Sequence, residues 1–153
     1  MTFVILIDGR SGSGKTELAK LLAENLDDAE LVRLDDLYAG WDGLDAASAA
    51  VPAIIRQGRW QAWDWARDEP GQWRHLSGAG TLIIEGVGAL SRASALLADV
   101  AIWVELDDST RKARALARDG ETYAPHWDRW AAQERRFIER EKPQRLASVI
   151  VES

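Results

Sequence analysis

Ile7 to Leu22, IDGRSGSGKTELAKLL, is the stretch whose reading decides the fold. An apolar run stops at Asp8. Gly9, Arg10, Ser11, Gly12, Ser13 and Gly14 follow, nearly bare of side chains, and then Lys15 and Thr16. Beyond them Leu18, Leu21, Leu22 and Leu26 recur at helical spacing. Gly9 to Thr16, GRSGSGKT, fits G-x-x-x-x-G-K-[ST] at every fixed position. Glycines let the backbone curl so that successive N–H groups make an anion nest. The following helix adds its N-terminal partial positive charge. Lys15 offers a mobile cation to β- and γ-phosphates, and Thr16 a hydroxyl to Mg²⁺. A nucleoside triphosphate is the expected ligand.

Working outward, apolar runs with strand character alternate with helical patterns. Phe3–Ile7 reads as a strand buried on both faces. Further strands are expected at Leu31–Leu34, Thr81–Ile84, Val100–Leu106 and Ala147–Val151. Helices are expected over Ala46–Gln57 (disturbed at Pro52), Ala93–Leu97, a segment capped by Asp108 or Ser109 and running to Arg118, and His126–Glu141. Tyr38–Gly43 reads as a loop, and Pro70-Gly71 as a turn in a Trp-rich stretch from Arg59 to Gly80. This alternation predicts an α/β fold with a parallel sheet, helices on both faces and ligands at the carboxyl ends of the strands. Acids stand at three of those ends: Asp8, Asp35 with Asp36, and Glu85.

Bulk properties narrow the field. The 153 residues suit one domain, and 46% hydrophobic with 29% charged residues is an ordinary globular balance. A net charge of −6 weighs against a general polyanion-binding surface, so nucleic acid is a disfavoured partner. The absence of cysteine excludes disulfides and thiolate metal sites. No apolar segment approaches the ~20 residues that span a membrane. MTFVILID does not read as a signal peptide, so a cytoplasmic location is expected, as monomer or homodimer.

Phosphate loops serve switches, motors and kinases. Guanine-specific switches read the base with N-K-x-D, yet the only asparagine is Asn25. Motor and AAA-type ATPases usually need more chain. A small-molecule kinase needs a phosphate loop, a proton acceptor, a metal anchor and cations over the transferring phosphoryl group. Asp35 could take a hydroxyl proton or orient that hydroxyl and Mg²⁺. Glu85 could hold Mg²⁺ through water. Arg111, Arg114 and Arg118 lie at i, i+3 and i+7, one helical face able to neutralise phosphoryl charge.

These residues resemble the uridine kinase-like branch of the phosphate-loop kinases. The resemblance rests on IDGRSGSGKT, DDLY after the second strand, LIIEG, and the D-x-x-x-R-x-x-R-x-x-x-R-D spacing from Asp107 to Asp119. It implies a five-stranded parallel sheet in the order 2-3-1-4-5, Asp35 ahead of Asp36 as catalytic base, and an arginine helix leading into a lid. Residues 1–153 would form one kinase domain, with an acceptor-covering segment at about 38–78 and a minimal lid at about 111–126. Trp63-Asp64-Trp65 stands about where the family often has an acceptor-contacting aromatic–Asp element.

Eight tryptophans in a chain with two Tyr and two Phe are unusual. Trp41, Trp60, Trp63, Trp65 and Trp73 all fall between the second and third strands. Aromatic faces there could stack on a planar ring. Tyr38, Trp41, Trp63, Asp64, Trp65 and Arg67 are the candidate acceptor contacts: Asp64 for paired hydroxyls, Arg67 for an anionic group. Trp127, Trp130 and Phe137, with Glu134 between them, read as core. The sequence thus predicts an Mg²⁺- and ATP-dependent kinase acting on a small, nucleoside-like acceptor. The alternatives are a nucleoside monophosphate kinase, an antibiotic or small-alcohol phosphotransferase, and an ATP-binding NTPase or regulator that transfers to no acceptor.

Overall fold

A strand with no polar side chain until its end must be covered on both faces, and β1 (Phe3–Gly9) is. In the computed structural model, which describes residues 1–153, Val4 and Leu6 point into one apolar layer and Ile5 and Ile7 into the other. The thinner layer joins Ile5 and Ile7 to Ala19 of α1 (Lys15–Asn25). The thicker layer packs Val4 and Leu6 against α2 (Leu44–Gln57) and α5 (Trp127–Glu141), through Leu44, Val51, Ile54, Trp130 and Phe137.

The remaining strands of the sheet are β2 (Ala29–Arg33), β5 (Thr81–Glu85), β6 (Val100–Glu105) and β7 (Val149–Glu152). Their order is β2-β5-β1-β6-β7 and every pairing is parallel. Numbered among themselves, the strands run 2-3-1-4-5, as the resemblance implies. β1 therefore sits at the centre, and the chain leaves it first toward β2 and later, through β6, toward the other edge. Such a switch point opens a crevice at the carboxyl end of the central strand. Two short helices, α3 (Arg92–Ala95) and α6 (Pro143–Leu146), close the connections, and α4 (Asp108–Asp119) follows β6.

Four local expectations change. The Trp-rich stretch is an antiparallel hairpin outside the main sheet, β3 (Arg59–Asp64) with β4 (Glu69–His75). Its turn lies at 65–68, where Asp68 has φ +54, and Pro70-Gly71 is inside β4. An isolated ribbon leaves Pro70 free of a ladder that needs its N–H. The buried side of α1 carries Thr16 and Ala19, with Leu18, Leu22 and Ala23 partly covered, whereas Leu21 and Leu26 face solvent. The cap of α4 is Asp107, whose side chain accepts from the Thr110 N–H at 2.9 Å. Hydrogen bonds from Thr110 and Ser109 hold this carboxyl down at about 2. Finally, α2 runs unbroken through Pro52.

Asp8, at the end of β1, is fully buried and accepts N–H bonds from Gly9, Gly88 and Leu90 at 2.7, 3.2 and 2.9 Å. It thereby ties the central strand to the loop after β5. Burial pushes its carboxyl up to about 7, against those N–H bonds and the charge of Lys15. A carboxyl raised on folding keeps a proton that the unfolded chain has released, so stability falls as pH rises between the two values. Between about pH 4 and 7, wild type should lose stability relative to Asp8→Asn, by at most about 1.4 kcal/mol per pH unit. Denaturant unfolding of both proteins across that range measures the difference, and parallel profiles would contradict the burial argument.

Candidate active site

The phosphate loop leaves β1 at the crevice and enters α1 without a side-chain cap. Gly12 and Gly14 have φ of +81 and +98, the left-handed region that only glycine occupies freely. The Arg10 carbonyl accepts from the Ser13 N–H at 3.1 Å and closes the curl. The first N–H groups of α1 have no intrahelical acceptor, which suits them to an anion. Lys15 and Thr16 are buried at its base.

Thr16 donates its hydroxyl to Glu85 Oε1 at 2.8 Å. Glu85 is 2% exposed, and its Oε2 has no hydrogen-bond partner. Arg33 Nε lies 3.5 Å from that oxygen, an ion pair in which neither atom makes a hydrogen bond. A hydroxyl and a carboxylate with a buried free oxygen form a hard donor set that fits Mg²⁺, which takes few protein ligands and completes its shell with water and phosphate. Asp35, just past β2, is well exposed, and its Oδ2 accepts from Arg33 NH2 at 3.2 Å.

One cleft of about 580 Å³ joins these groups. Ser11, Lys15 and Thr16 of the loop line it together with Asp35, Asp36, Arg118, Asp119 and Thr122. Tyr38, Trp41, Trp65, Tyr123 and Trp130 form an aromatic wall. The polar tips of Tyr38, Trp65 and Tyr123 are engaged. The Tyr38 hydroxyl donates to the Val87 carbonyl at 2.7 Å, and Trp65 Nε1 donates to the Asp35 carbonyl at 2.9 Å. Burial, with the negative charge of Asp35 and Glu85, pushes the Tyr38 hydroxyl up. Trp41 is central to the wall, edge-on to Trp65 and stacked on His126 with centroids 4.5 Å apart.

The three arginines of α4 separate in role. Arg111 is 3% exposed and binds inward, to the Ser11 carbonyl at 3.1 Å and to Asp108. It holds the loop and does not reach the cleft. Arg114 lies beside Gly14, its guanidinium 3.7 Å from where a Cβ would stand. Arg118 alone lines the cleft, held by Asp119, whose hydrogen bond raises its pKa. Of the candidate acceptor contacts, Tyr38, Trp41 and Trp65 line the cleft, whereas Trp63, Asp64 and Arg67 line a separate concavity on the hairpin. Asp64 is occupied in closing the hairpin turn, accepting from the Arg67 N–H at 3.0 Å.

Sequence reasoning missed Tyr123 and Glu134. Glu134 is 1% exposed and binds both the Ser11 N–H and Arg10. Its signal was present: an acid on the apolar stripe Trp127, Trp130, Phe137 is a buried acid in search of a partner.

A family model described as an AAA domain matches residues 5–142. Chain length argues against motor and AAA-type ATPases, and this match corrects that expectation at the level of the family. Among solved structures, a "Possible Uridine Kinase" from Bacillus stearothermophilus has a TM-score of 0.66 at 19% identity, covering 98% of this chain and 88% of that one. Shikimate kinase from Bacteroides thetaiotaomicron has a TM-score of 0.56 at 14% identity, covering 97% and 85%. At these identities the likeness shows a shared phosphate-loop kinase fold. No curated protein matches the sequence. No helix is long and apolar enough to cross a membrane.

A methyl group at Gly12 would collide with the Arg111 carbonyl oxygen, in a backbone conformation that alanine resists. Gly12→Ala should therefore cost about 2 kcal/mol of stability. It should also weaken Mg²⁺–ATP binding by about tenfold or more, since the nest must shift. Calorimetric titration and thermal unfolding of the variant check both.

Proposed function

We propose that this chain, which belongs to the AAA domain family, is an ATP-dependent kinase that moves the γ-phosphoryl group onto a hydroxyl of a small molecule. The observation that carries the reading is a single cleft holding both halves of the transfer. Lys15 and Thr16 of the phosphate loop line it together with Asp35 and the aromatic wall. The kinase folds of the structural neighbours support it.

In this reading the loop N–H groups and Lys15 hold the phosphates and take up the charge that develops on the transferring group. Arg118 is the second cation over that group. Asp35 Oδ2 is held by Arg33, which leaves Oδ1 to accept the proton of the acceptor hydroxyl as its oxygen attacks the γ-phosphorus and ADP leaves. Thr16 and Glu85 would hold Mg²⁺, which when bound neutralises charge on the phosphate oxygens.

The acceptor is read as nucleoside-like from the uridine kinase resemblance, with Trp65 and Trp41 of the cleft wall as candidate stacking surfaces. An anionic acceptor, as in a nucleoside monophosphate kinase, fits less well. Arg67 sits at the hairpin turn with Asp64, and Arg74 faces Asp36 at 3.7 Å. Asp35 and Asp36 line the cleft, and its one arginine, Arg118, is held by Asp119.

ATP consumption with Mg²⁺ and a panel of nucleosides, nucleoside monophosphates and small alcohols tests the proposal. One class should stimulate turnover, and Asp35→Asn should lower that stimulated kcat about a hundredfold or more while nucleotide affinity stays within about threefold. Turnover that ignores every acceptor and survives Asp35→Asn would support an NTPase instead.

A further inference from the structure

Ser11 has three polar groups, and three different elements hold them. Its N–H donates to Glu134 Oε2 of α5 at 2.8 Å. Its carbonyl accepts from Arg111 of α4 at 3.1 Å. Its hydroxyl oxygen accepts from the Tyr123 hydroxyl, in the turn between those helices, at 2.7 Å. All three partners are at least nine-tenths buried. Arg10, the residue before, donates to the other oxygen of Glu134 at 3.1 Å. The first half of the loop is thus held from behind, and the Ser13 N–H is taken by the Arg10 carbonyl, while the N–H groups of Gly12, Gly14, Lys15 and Thr16 have no protein acceptor.

Tyr123 also packs toward the other half of the cleft, its ring 5.1 Å from that of Trp41. The turn that carries it reaches Trp41 a second time, through the stacked His126. Tyr123 therefore touches the phosphate loop with its hydroxyl and the aromatic wall with its ring. We infer that Tyr123 and Glu134 are positioning residues that set the curvature of the phosphate loop through Ser11. On this account the turn over the cleft and the phosphate nest move as one unit. The inference rests on the loop binding a nucleoside triphosphate, and not on the acceptor or on transfer.

Affinity for Mg²⁺ with a non-hydrolysable ATP analogue, by calorimetric titration, tests it with no acceptor and no turnover. The proteins are wild type, Tyr123→Phe, Ser11→Ala, the double variant and Glu134→Gln, with thermal unfolding of each without nucleotide. Tyr123→Phe keeps the ring and its packing and removes one hydroxyl. It should weaken analogue binding by about fivefold, the effect of one hydrogen bond, with a melting temperature close to wild type. Ser11→Ala should do the same, and the double variant should be no weaker than the weaker single, because both remove one shared contact. Glu134→Gln, which keeps an acceptor for the Ser11 N–H but loses the charge facing Arg10, should also weaken binding. Unchanged affinity in Tyr123→Phe, or losses that multiply in the double variant, would overturn the inference. Wild type that fails to bind the analogue would overturn the proposed function as well.

Discussion

A loop built of glycine and serine keeps a curved backbone only when something outside it fixes the curve. Each glycine carries more conformational entropy to lose than any other residue, and an anion nest works only if its N–H groups are aimed before the ligand arrives. Here the constraint is met from both ends. The buried β1 and the first turn of α1 fix the flanks. Glu134, Arg111 and Tyr123 fix the middle through Ser11. Glu134 is tolerable at 1% exposure because it is ion-paired and doubly hydrogen-bonded. Removing its partners would leave a buried charge costing several kcal/mol.

The rest of the site follows from strand order. With β1 central and β5 beside it, Glu85 is brought to the Thr16 hydroxyl, and Asp35, at the end of the neighbouring β2, to the same crevice. Arg33 joins the two acids, 3.5 Å from Glu85 and 3.2 Å from Asp35. The hairpin of β3 and β4 lies outside the sheet, yet Trp65 folds back from its turn to the Asp35 carbonyl and the edge of Trp41. The backbone carrying the proposed base is thereby held by a residue distant in sequence.

The loop, the strands of the sheet and the acids at their ends could be read from the sequence because each has a local signature: glycine spacing, continuous apolar runs, an acid closing a run. The order of the strands came from the family resemblance. The hairpin could not, because Pro70-Gly71 mimics a turn, whereas the actual turn at 65–68 relies on Asp64 and a left-handed Asp68. The arginine row was legible as a helical face but not as three roles. Spacing shows that Arg111, Arg114 and Arg118 share a side of α4, and only the packing of α4 onto Gly12 and Ser11 shows that Arg111 is turned inward. Asp64 and Arg67 looked like acceptor contacts beside tryptophans, yet their first partners are each other. Tyr123 carried no signal, since its partner lies 112 residues away.

The central claim is that the cleft transfers a phosphoryl group to a hydroxyl other than that of water. Phosphorus NMR of Mg²⁺–ATP incubated with the protein and a pool of nucleosides and small alcohols tests it most directly. The account predicts a new phosphomonoester resonance that grows in step with ADP. Growth of ADP and inorganic phosphate alone, with the pool unchanged, would contradict it.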